Sequence, residues 1–149
     1  MEKIAQKESS KLMDLYIAFL RSLYIIHQNN HWTCSGPNFY GNHLLFERLY
    51  LSAQDNADLA AEKIVGIFGK ESVNLTNQAQ LINKIVSKYN NENHIVNSLK
   101  AETDFLILSE KIYEQLKQTE NLTLGLDDAI MAIASKREEA IYLLKQALV

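Results

Sequence analysis

The fold of this chain is decided by residues 38 to 69, which read NFYGNHLLFERLYLSAQDNADLAAEKIVGIFG. Apolar residues recur in this stretch at the spacing of the buried face of an α-helix. That face comprises Leu45, Phe46, Leu49, Ala53, Ala57, Ala60, Ile64 and Phe68. Gly69 follows as a typical C-terminal stop. The stretch therefore predicts one helix of about thirty residues, roughly 45 Å long.

Similar patterns lie on either side of this helix. The sequence Ser35-Gly36-Pro37-Asn38 separates it from an earlier apolar repeat. Lys70 to about Asn91 reads as a linker with a short amphipathic helix capped by Thr76. The other long helices are predicted from about Glu8 to about Trp32, from about Asn93 to about Gln118, and after Thr123 or Gly125. Two hairpins and one longer crossover describe an all-α four-helix bundle with a short helix in its crossover.

The composition supports a single globular domain spanning residues 1–149. Hydrophobic residues make up 47% and charged residues 22%, which is too apolar for a disordered chain. Only five glycines and one proline are available for turns, which favours long helices over sheet-containing folds. The one cysteine, Cys34, has no partner for an internal disulfide, and no apolar leader or membrane-spanning stretch occurs. We therefore expect a soluble, cytoplasmic protein.

Net charge bears on one class of partner. The formal charge of −3 and the pI near 5.8 argue against a basic surface that binds nucleic acid. The N-terminal arm offers Lys3, Lys7 and Lys11, but Glu2 and Glu8 lie among them. We expect DNA binding to be weak or absent.

A polar stripe runs along the central helix beside its apolar face. At 100° per residue, its potential metal ligands fall within about 100° of one another: His43, Glu47, Asp58 and Glu62. Acidic residues one turn apart usually lie on a solvated face. Leu44 and Leu51 share this stripe, however, which favours contact with another protein surface. Because imidazole and carboxylate ligands suit Fe²⁺, the stripe indicates an interface that carries metal ligands.

Helix geometry limits how such a site can form. Glu47 and Asp58 lie about 16 Å apart along one helix, so they cannot hold the same ion within one chain. Two copies of the helix that cross antiparallel about a twofold axis would bring the His43 end of one copy to the Glu62 end of the other. The axis would pass near the small residues 52–53. No Glu-x-x-His pair occurs in the chain, which disfavours a di-iron centre inside the bundle.

Two motifs give the chain a resemblance to a known family. The first is His31-Trp32-Thr33-Cys34-Ser35-Gly36-Pro37-Asn38-Phe39. The second is the pattern that follows it: His43, Phe46, Glu47, Tyr50, Asp58, Ala61, Glu62, Lys63 and Ile64. In residue type and spacing, both resemble the Dps family of mini-ferritins, most clearly over residues 31 to 69. The resemblance implies a ferritin-like subunit that assembles into a hollow, dodecameric shell.

The resemblance also implies an activity and a ligand set. Family members are ferroxidases that oxidise Fe²⁺, usually with hydrogen peroxide, and store ferric oxide, which protects against oxidative stress. The implied ligands are His31, Asp58 and Glu62 of one subunit with His43 and Glu47 of its twofold mate. The family more often has Asp at the last position, so the longer Glu47 is expected to shift or weaken the second metal position. The alternatives are a DNA-binding, nucleoid-protecting protein and a metal-binding cage without rapid oxidation.

Several other residues have a functional interpretation or a structural one. Trp32 is implied to pack near the metal centre and take part in electron transfer, or else to serve as an interface aromatic. Asp128 is implied to line an acidic pore for Fe²⁺, together with Glu120, although an acid at this position also favours a helix N-terminus. His27 reads as a structural residue and Cys34 as a small turn residue.

Overall fold

The computed structural model describes residues 2–149 and the side chains of residues 7–149. Its α-helices are α1 (Glu2–Thr33), α2 (Phe39–Phe68), α3 (Leu75–Val86), α4 (His94–Gln118) and α5 (Leu124–Leu148). A 3₁₀ turn at Lys70–Ser72 follows α2. Among the described residues, no helix combines the length and apolar character that crossing a membrane requires. The predicted arm residues Glu2 and Lys3 lie outside the described side chains.

The four long helices pack into a bundle. α1 and α2 form one hairpin, α4 and α5 form the other, and α3 packs against α1 in the crossover between them. α1 also contacts α4, and α2 contacts α5, which closes the bundle. The predicted all-α architecture with a short crossover helix is confirmed.

A shared apolar core holds the bundle together. Phe105 of α4 lies against Tyr16 and Phe19 of α1, with ring centroids 5.3 and 5.6 Å apart. Leu20 and Leu23 of α1 are fully buried beside them. Burial of side chains of this kind contributes about 1.5 to 3 kcal/mol each. The apolar face of α2 packs into this core, so the polar stripe of α2 faces away from the bundle.

The helix ends follow local capping chemistry and differ from the prediction in two places. α1 begins at Glu2 rather than near Glu8. α3 is capped by Asn74, whose side chain accepts from the backbone N–H of Asn77 at 2.8 Å, and not by Thr76. The reason is that Asn74 has the extended backbone of an N-cap, whereas Thr76 lies inside the first turn. Gly69 ends α2 as predicted, with a φ of 91° that disfavours other residues.

Candidate metal centre

Two histidines meet where α1 ends and α2 begins. The rings of His31 and His43 stack with centroids 3.7 Å apart and planes inclined by 15°. His31 Nδ1 donates to the carbonyl oxygen of His43 at 2.7 Å, and His43 Nδ1 donates to the carbonyl oxygen of His31 at 2.8 Å. The carbonyl of His31 lies in the last turn of α1, where helix carbonyls lack intrahelical partners. The ring of His43, near the start of α2, therefore donates a hydrogen bond to a carbonyl oxygen at the end of α1 that has no partner within that helix.

These hydrogen bonds fix the tautomer of both rings. A carbonyl oxygen can only accept, so each Nδ1 carries a proton, and in the neutral ring Nε2 keeps its lone pair. Both histidines are half-buried. Metal-binding histidines commonly donate their other ring nitrogen to a backbone carbonyl or a carboxylate, which orients the ring. The pair thus offers two oriented nitrogen ligands.

Aromatic side chains contact both rings of the histidine pair. Phe39, one turn before His43, stacks on that ring at a centroid distance of 5.0 Å. Tyr50 meets the His31 ring edge-on at 5.3 Å. Tyr24 in turn meets Tyr50 at 5.7 Å. These ring contacts were not predicted from the sequence, although the spacing of Phe39 and His43 at i and i+4 on one helix indicates such a contact.

The carboxylates of the predicted stripe follow along α2. Glu47 is half-buried one turn after His43, whereas Asp58 and Glu62 are exposed. Large apolar side chains also stand exposed on this helix: Leu44 at 44%, Leu51 at 47% and Leu59 at 41%. Exposed apolar side chains rimmed by polar ones are typical of surfaces that contact another protein.

The structure shows which of the candidate ligands are neighbours within one chain. The resemblance groups His31 with Asp58 and Glu62, whereas in the structure His31 stacks on His43. His43 and Asp58 are about 22 Å apart along α2. Because His31 stacks on His43, it also lies far from Asp58 and Glu62 of its own chain. Asp58 lies instead beside a cleft that includes α1 residues from the 17–25 segment, further back along the antiparallel helix. His31 and His43 therefore lie together at one end of the α2 face, apart from Asp58 and Glu62.

The two small residues predicted at the crossing point, Ser52 and Ala53, face the interior of their own bundle. Ala53 is fully buried in the core of its own chain. Ser52 accepts a hydrogen bond from Arg137 Nη2 at 2.9 Å, so its hydroxyl is directed to the bundle. Both residues lie towards the face that α2 needs for its own core. The outward positions at this level are Leu51 and Gln54, which are exposed.

The ligands do not converge within one chain. In the part of the chain that the structure describes, no three side chains of the types His, Cys, Asp and Glu are grouped to hold a metal ion. The His31–His43 pair with Glu47 stands at one end of the α2 face, and Asp58 with Glu62 stands at the other. The candidate ligands thus form two separated groups.

Residues near the histidine pair have different environments. Trp32, which follows His31, is 66% exposed. Cys34 is buried and packs with Phe46 and Leu49. Burial raises the pKa of the Cys34 thiol, and a backbone hydrogen bond only partly opposes this effect. His27 is fully buried and hydrogen-bonded inside the bundle, in agreement with the structural role predicted for it.

The acids assigned to a pore lie at the other end of the bundle. Asp128 is exposed near the start of α5, which Thr123 caps by accepting from the N–H of Leu126. Glu120 is exposed between α4 and α5 and has a left-handed backbone with a φ of 58°. Both side chains are free of ion pairs within the described residues.

Comparison with known proteins gives matches of two kinds. No protein-family model matches the chain. A DNA protection during starvation protein of Brevibacillus brevis is 35% identical over 69 residues, which cover 46% of this chain and 46% of that protein. The matched segment thus spans less than half of the curated relative.

Solved structures match over nearly the whole chain. Dps from Thermosynechococcus elongatus has a TM-score of 0.81 at 15% identity, covering 99% of this chain and 94% of that one. The Dps protein from Vibrio cholerae O1, described as a member of a broad superfamily of ferritin-like diiron-carboxylate proteins, has a TM-score of 0.78 at 17% identity, covering 98% and 92%. The resemblance to the Dps family is therefore confirmed, and the chain has the ferritin-like fold of Dps proteins.

Proposed function

We propose that this protein is a ferroxidase and iron store, which oxidises Fe²⁺ between twofold-related copies of a hollow cytoplasmic cage. The observation that carries the proposal is the His31–His43 pair, in which both Nδ1 atoms donate to carbonyl oxygens and both Nε2 atoms are left for a metal. Exposed carboxylates on the same helix supply the oxygen ligands that Fe²⁺ favours.

The complete site needs two copies of the chain. An antiparallel crossing of two α2 helices pairs position 43 with position 62 and position 47 with position 58. His31, His43 and Glu47 of one copy then face Asp58 and Glu62 of the other. The exposed leucines of α2 would be buried by this contact, which favours the same face as the interface. One dimer contains two such sites because the interface is symmetric.

The oxidation we propose uses hydrogen peroxide. Two Fe²⁺ ions give up one electron each, and H₂O₂ with two protons becomes two water molecules. The carboxylates supply negative charge that favours the Fe³⁺ product, while the neutral imidazoles hold the ions in place. Glu47 has one methylene more than the family's usual Asp, so the ion it contacts is expected to bind more weakly. Ferric oxide would then accumulate inside a dodecameric shell.

The test removes one half-site and keeps the fold. Asp58→Asn combined with Glu62→Gln removes two charges without changing side-chain size, and Glu110→Gln on the exposed face of α4 is the matched control. Fe³⁺ formation after addition of Fe²⁺ and peroxide is followed by stopped-flow absorbance, and native mass spectrometry reports assembly and bound iron. We expect rapid oxidation in the wild type and the control, and its loss in the assembled double variant.

Two results would overturn the proposal. Wild-type oxidation rates in a folded, assembled double variant would exclude these carboxylates from the site. A wild-type shell that binds Fe²⁺ but oxidises it no faster than buffer would make the protein a metal-binding cage instead.

A further inference from the structure

A small cavity opens between α2 and α5, at a place that the proposed function does not use. Its volume is about 130 Å³, which is room for a small hydrated ion. The polar part of its lining consists of Arg48, Ser52, Lys136, Arg137 and Glu139. None of these five residues is a candidate metal ligand. Three of them are cations and one is a carboxylate, so the cavity is a candidate site for an anion.

The inner end of the cavity meets a fully buried arginine, Arg137. Its Nε lies 3.3 Å from Glu102 Oε2, and its Nη2 donates to Ser52 Oγ at 2.9 Å. Its Nη1 has no hydrogen-bond partner among the described residues. Because buried polar groups are normally hydrogen-bonded and a guanidinium has five N–H donors, an acceptor in the cavity would complete the hydrogen bonding of Arg137.

Two exposed cations stand at the outer end of the cavity. The side chains of Arg48 and Lys136 are 62% and 60% exposed. Arg48 Nη2 lies 2.5 Å from Glu139 Oε1, and Lys136 Nζ lies 3.4 Å from Glu139 Oε2. A guanidinium has five N–H donors and an ammonium has three, so Glu139 engages only part of this capacity. Both cations can therefore bind a second acceptor without releasing the first.

Glu139 shows that the outer end of the cavity attracts negative charge. The hydrogen bond from Arg48 and the charge of Lys136 lower the pKa of Glu139, so its carboxylate is ionised at neutral pH. Glu139 and Glu102 together offset two of the three cationic charges. One positive charge is left over, and an anion bound in the cavity would balance it.

We propose that this cavity is a binding site for a small tetrahedral oxyanion, with inorganic phosphate as its ligand. Guanidinium groups match phosphate oxygens with two parallel N–H donors, and an ammonium group binds phosphate as a point charge. Ser52 Oγ accepts from Arg137, so its own O–H can be donated to the same anion. The cavity has room for a single phosphate group, so we assign it to the free ion rather than to a nucleotide. This assignment does not depend on the ferroxidase activity.

Phosphate binding to the assembled, iron-free protein tests the proposal. Equilibrium dialysis with radiolabelled phosphate at constant ionic strength gives the number of ions bound per chain and their Kd. Arg48→Gln with Lys136→Gln removes two cations from the cavity, whereas the matched control, Lys100→Gln with Lys145→Gln, removes two exposed cations elsewhere. Glu139→Gln removes the carboxylate that competes with the anion.

The variants are expected to shift the Kd in opposite directions. The wild type should bind one phosphate per chain. The Kd should rise about tenfold in the variant with both cavity cations removed, because charge-assisted hydrogen bonds to the anion are lost. It should fall in Glu139→Gln, which frees donors of Arg48 and Lys136 and removes a negative charge. The control with the same net charge as the first variant should keep the wild-type Kd, because distant exposed charges are screened.

Ser52→Leu separates a cavity from a surface that is merely basic, because it fills space beside Arg137 and leaves every charge unchanged. Loss of phosphate binding in the folded, assembled variant supports the cavity, and a wild-type Kd overturns it. If Ser52→Leu does not fold, the comparison of the two double variants decides, and equal weakening in both overturns the proposal. Absence of saturable binding in the wild type overturns it as well. A DNA duplex added at the same concentration of phosphate groups should leave the labelled ion bound, and displacement would overturn the assignment to the free ion.

Discussion

His31 and His43 close the hairpin between α1 and α2 by a reciprocal exchange, in which each ring donates Nδ1–H to the carbonyl oxygen of the other residue. The two rings stack at 3.7 Å as a result. Two residues at the ends of different helices therefore form one rigid unit. If this unit binds metal, both histidines must come from the same subunit, which separates the present arrangement from the one that the motifs alone implied.

Mixing of variants distinguishes the two arrangements. His31→Ala chains and Asp58→Asn/Glu62→Gln chains are each expected to be inactive in Fe²⁺ oxidation. When they are dissociated, mixed in equal amounts and reassembled, half of the dimers are mixed, and one site in each mixed dimer combines intact halves. We expect recovery of about a quarter of the wild-type rate, as twofold symmetry requires.

The opposite result is equally informative. If His31 shares an ion with Asp58 and Glu62 of its own chain, no mixed dimer contains an intact site and no activity returns. Mixing His31→Ala with His43→Ala is the matched control. These residues lie in the same half-site, so this mixture should remain inactive.

The sequence predicted the helices far better than the contacts between them. α2 was predictable because its apolar repeat and Gly69 are local signals, and its ligand stripe follows from helix geometry. The position of His31 was not predictable in this way, since it depends on how the turn at residues 34–38 returns the chain. Asn74 as the cap of α3 could have been preferred over Thr76, because Asn is at least as good an N-cap.

The charged interior was not predictable from periodicity. Glu102 and Arg137 belong to residue types that are almost never fully buried unless paired. Each can be buried in the core because it pairs with the other, and the two residues lie on different helices. Such a pair has no signature within either helix, so only the packing of α4 against α5 and α1 shows it.

Gly69 is predicted to be a stability requirement at the end of α2. Its φ is 91°, and an added Cβ would lie 2.6 Å from Glu71 Oε2. Gly69→Ala should lower the free energy of unfolding by about 1 to 3 kcal/mol, the cost of a positive-φ, extended backbone for residues other than glycine. Gly66→Ala, inside α2 and with nothing within 4 Å of the new Cβ beyond its chain neighbours and the helix's own backbone, should instead raise it by about 0.5 to 1 kcal/mol. Denaturant unfolding at one protein concentration measures both, and equal effects would contradict the backbone explanation.

The thiol of Cys34 should react slowly in the folded protein. Burial raises its pKa above the ordinary value of 9.0, so a smaller fraction of the thiol is thiolate at any given pH, and the thiolate is the reactive species. Alkylation by iodoacetamide at pH 8 should therefore be slower in the native protein than in the same chain unfolded in guanidinium. The native rate should continue to rise with pH after that of the unfolded chain has levelled off. Equal rates would show that the thiol is accessible and its pKa ordinary.

Asp128 is predicted to assist Fe²⁺ uptake by electrostatic attraction. It is exposed near the start of α5, and an acidic group beside a path into a cage raises the local concentration of cations. Asp128→Asn should slow the initial rate of iron incorporation by roughly two- to fivefold at low ionic strength. The difference should disappear at high salt, because screening removes the attraction. Glu138→Gln, at another exposed acid further along α5, is the matched control and should change the rate less. If both variants slow uptake equally, net charge alone explains the effect and Asp128 has no special position on the path of the ion.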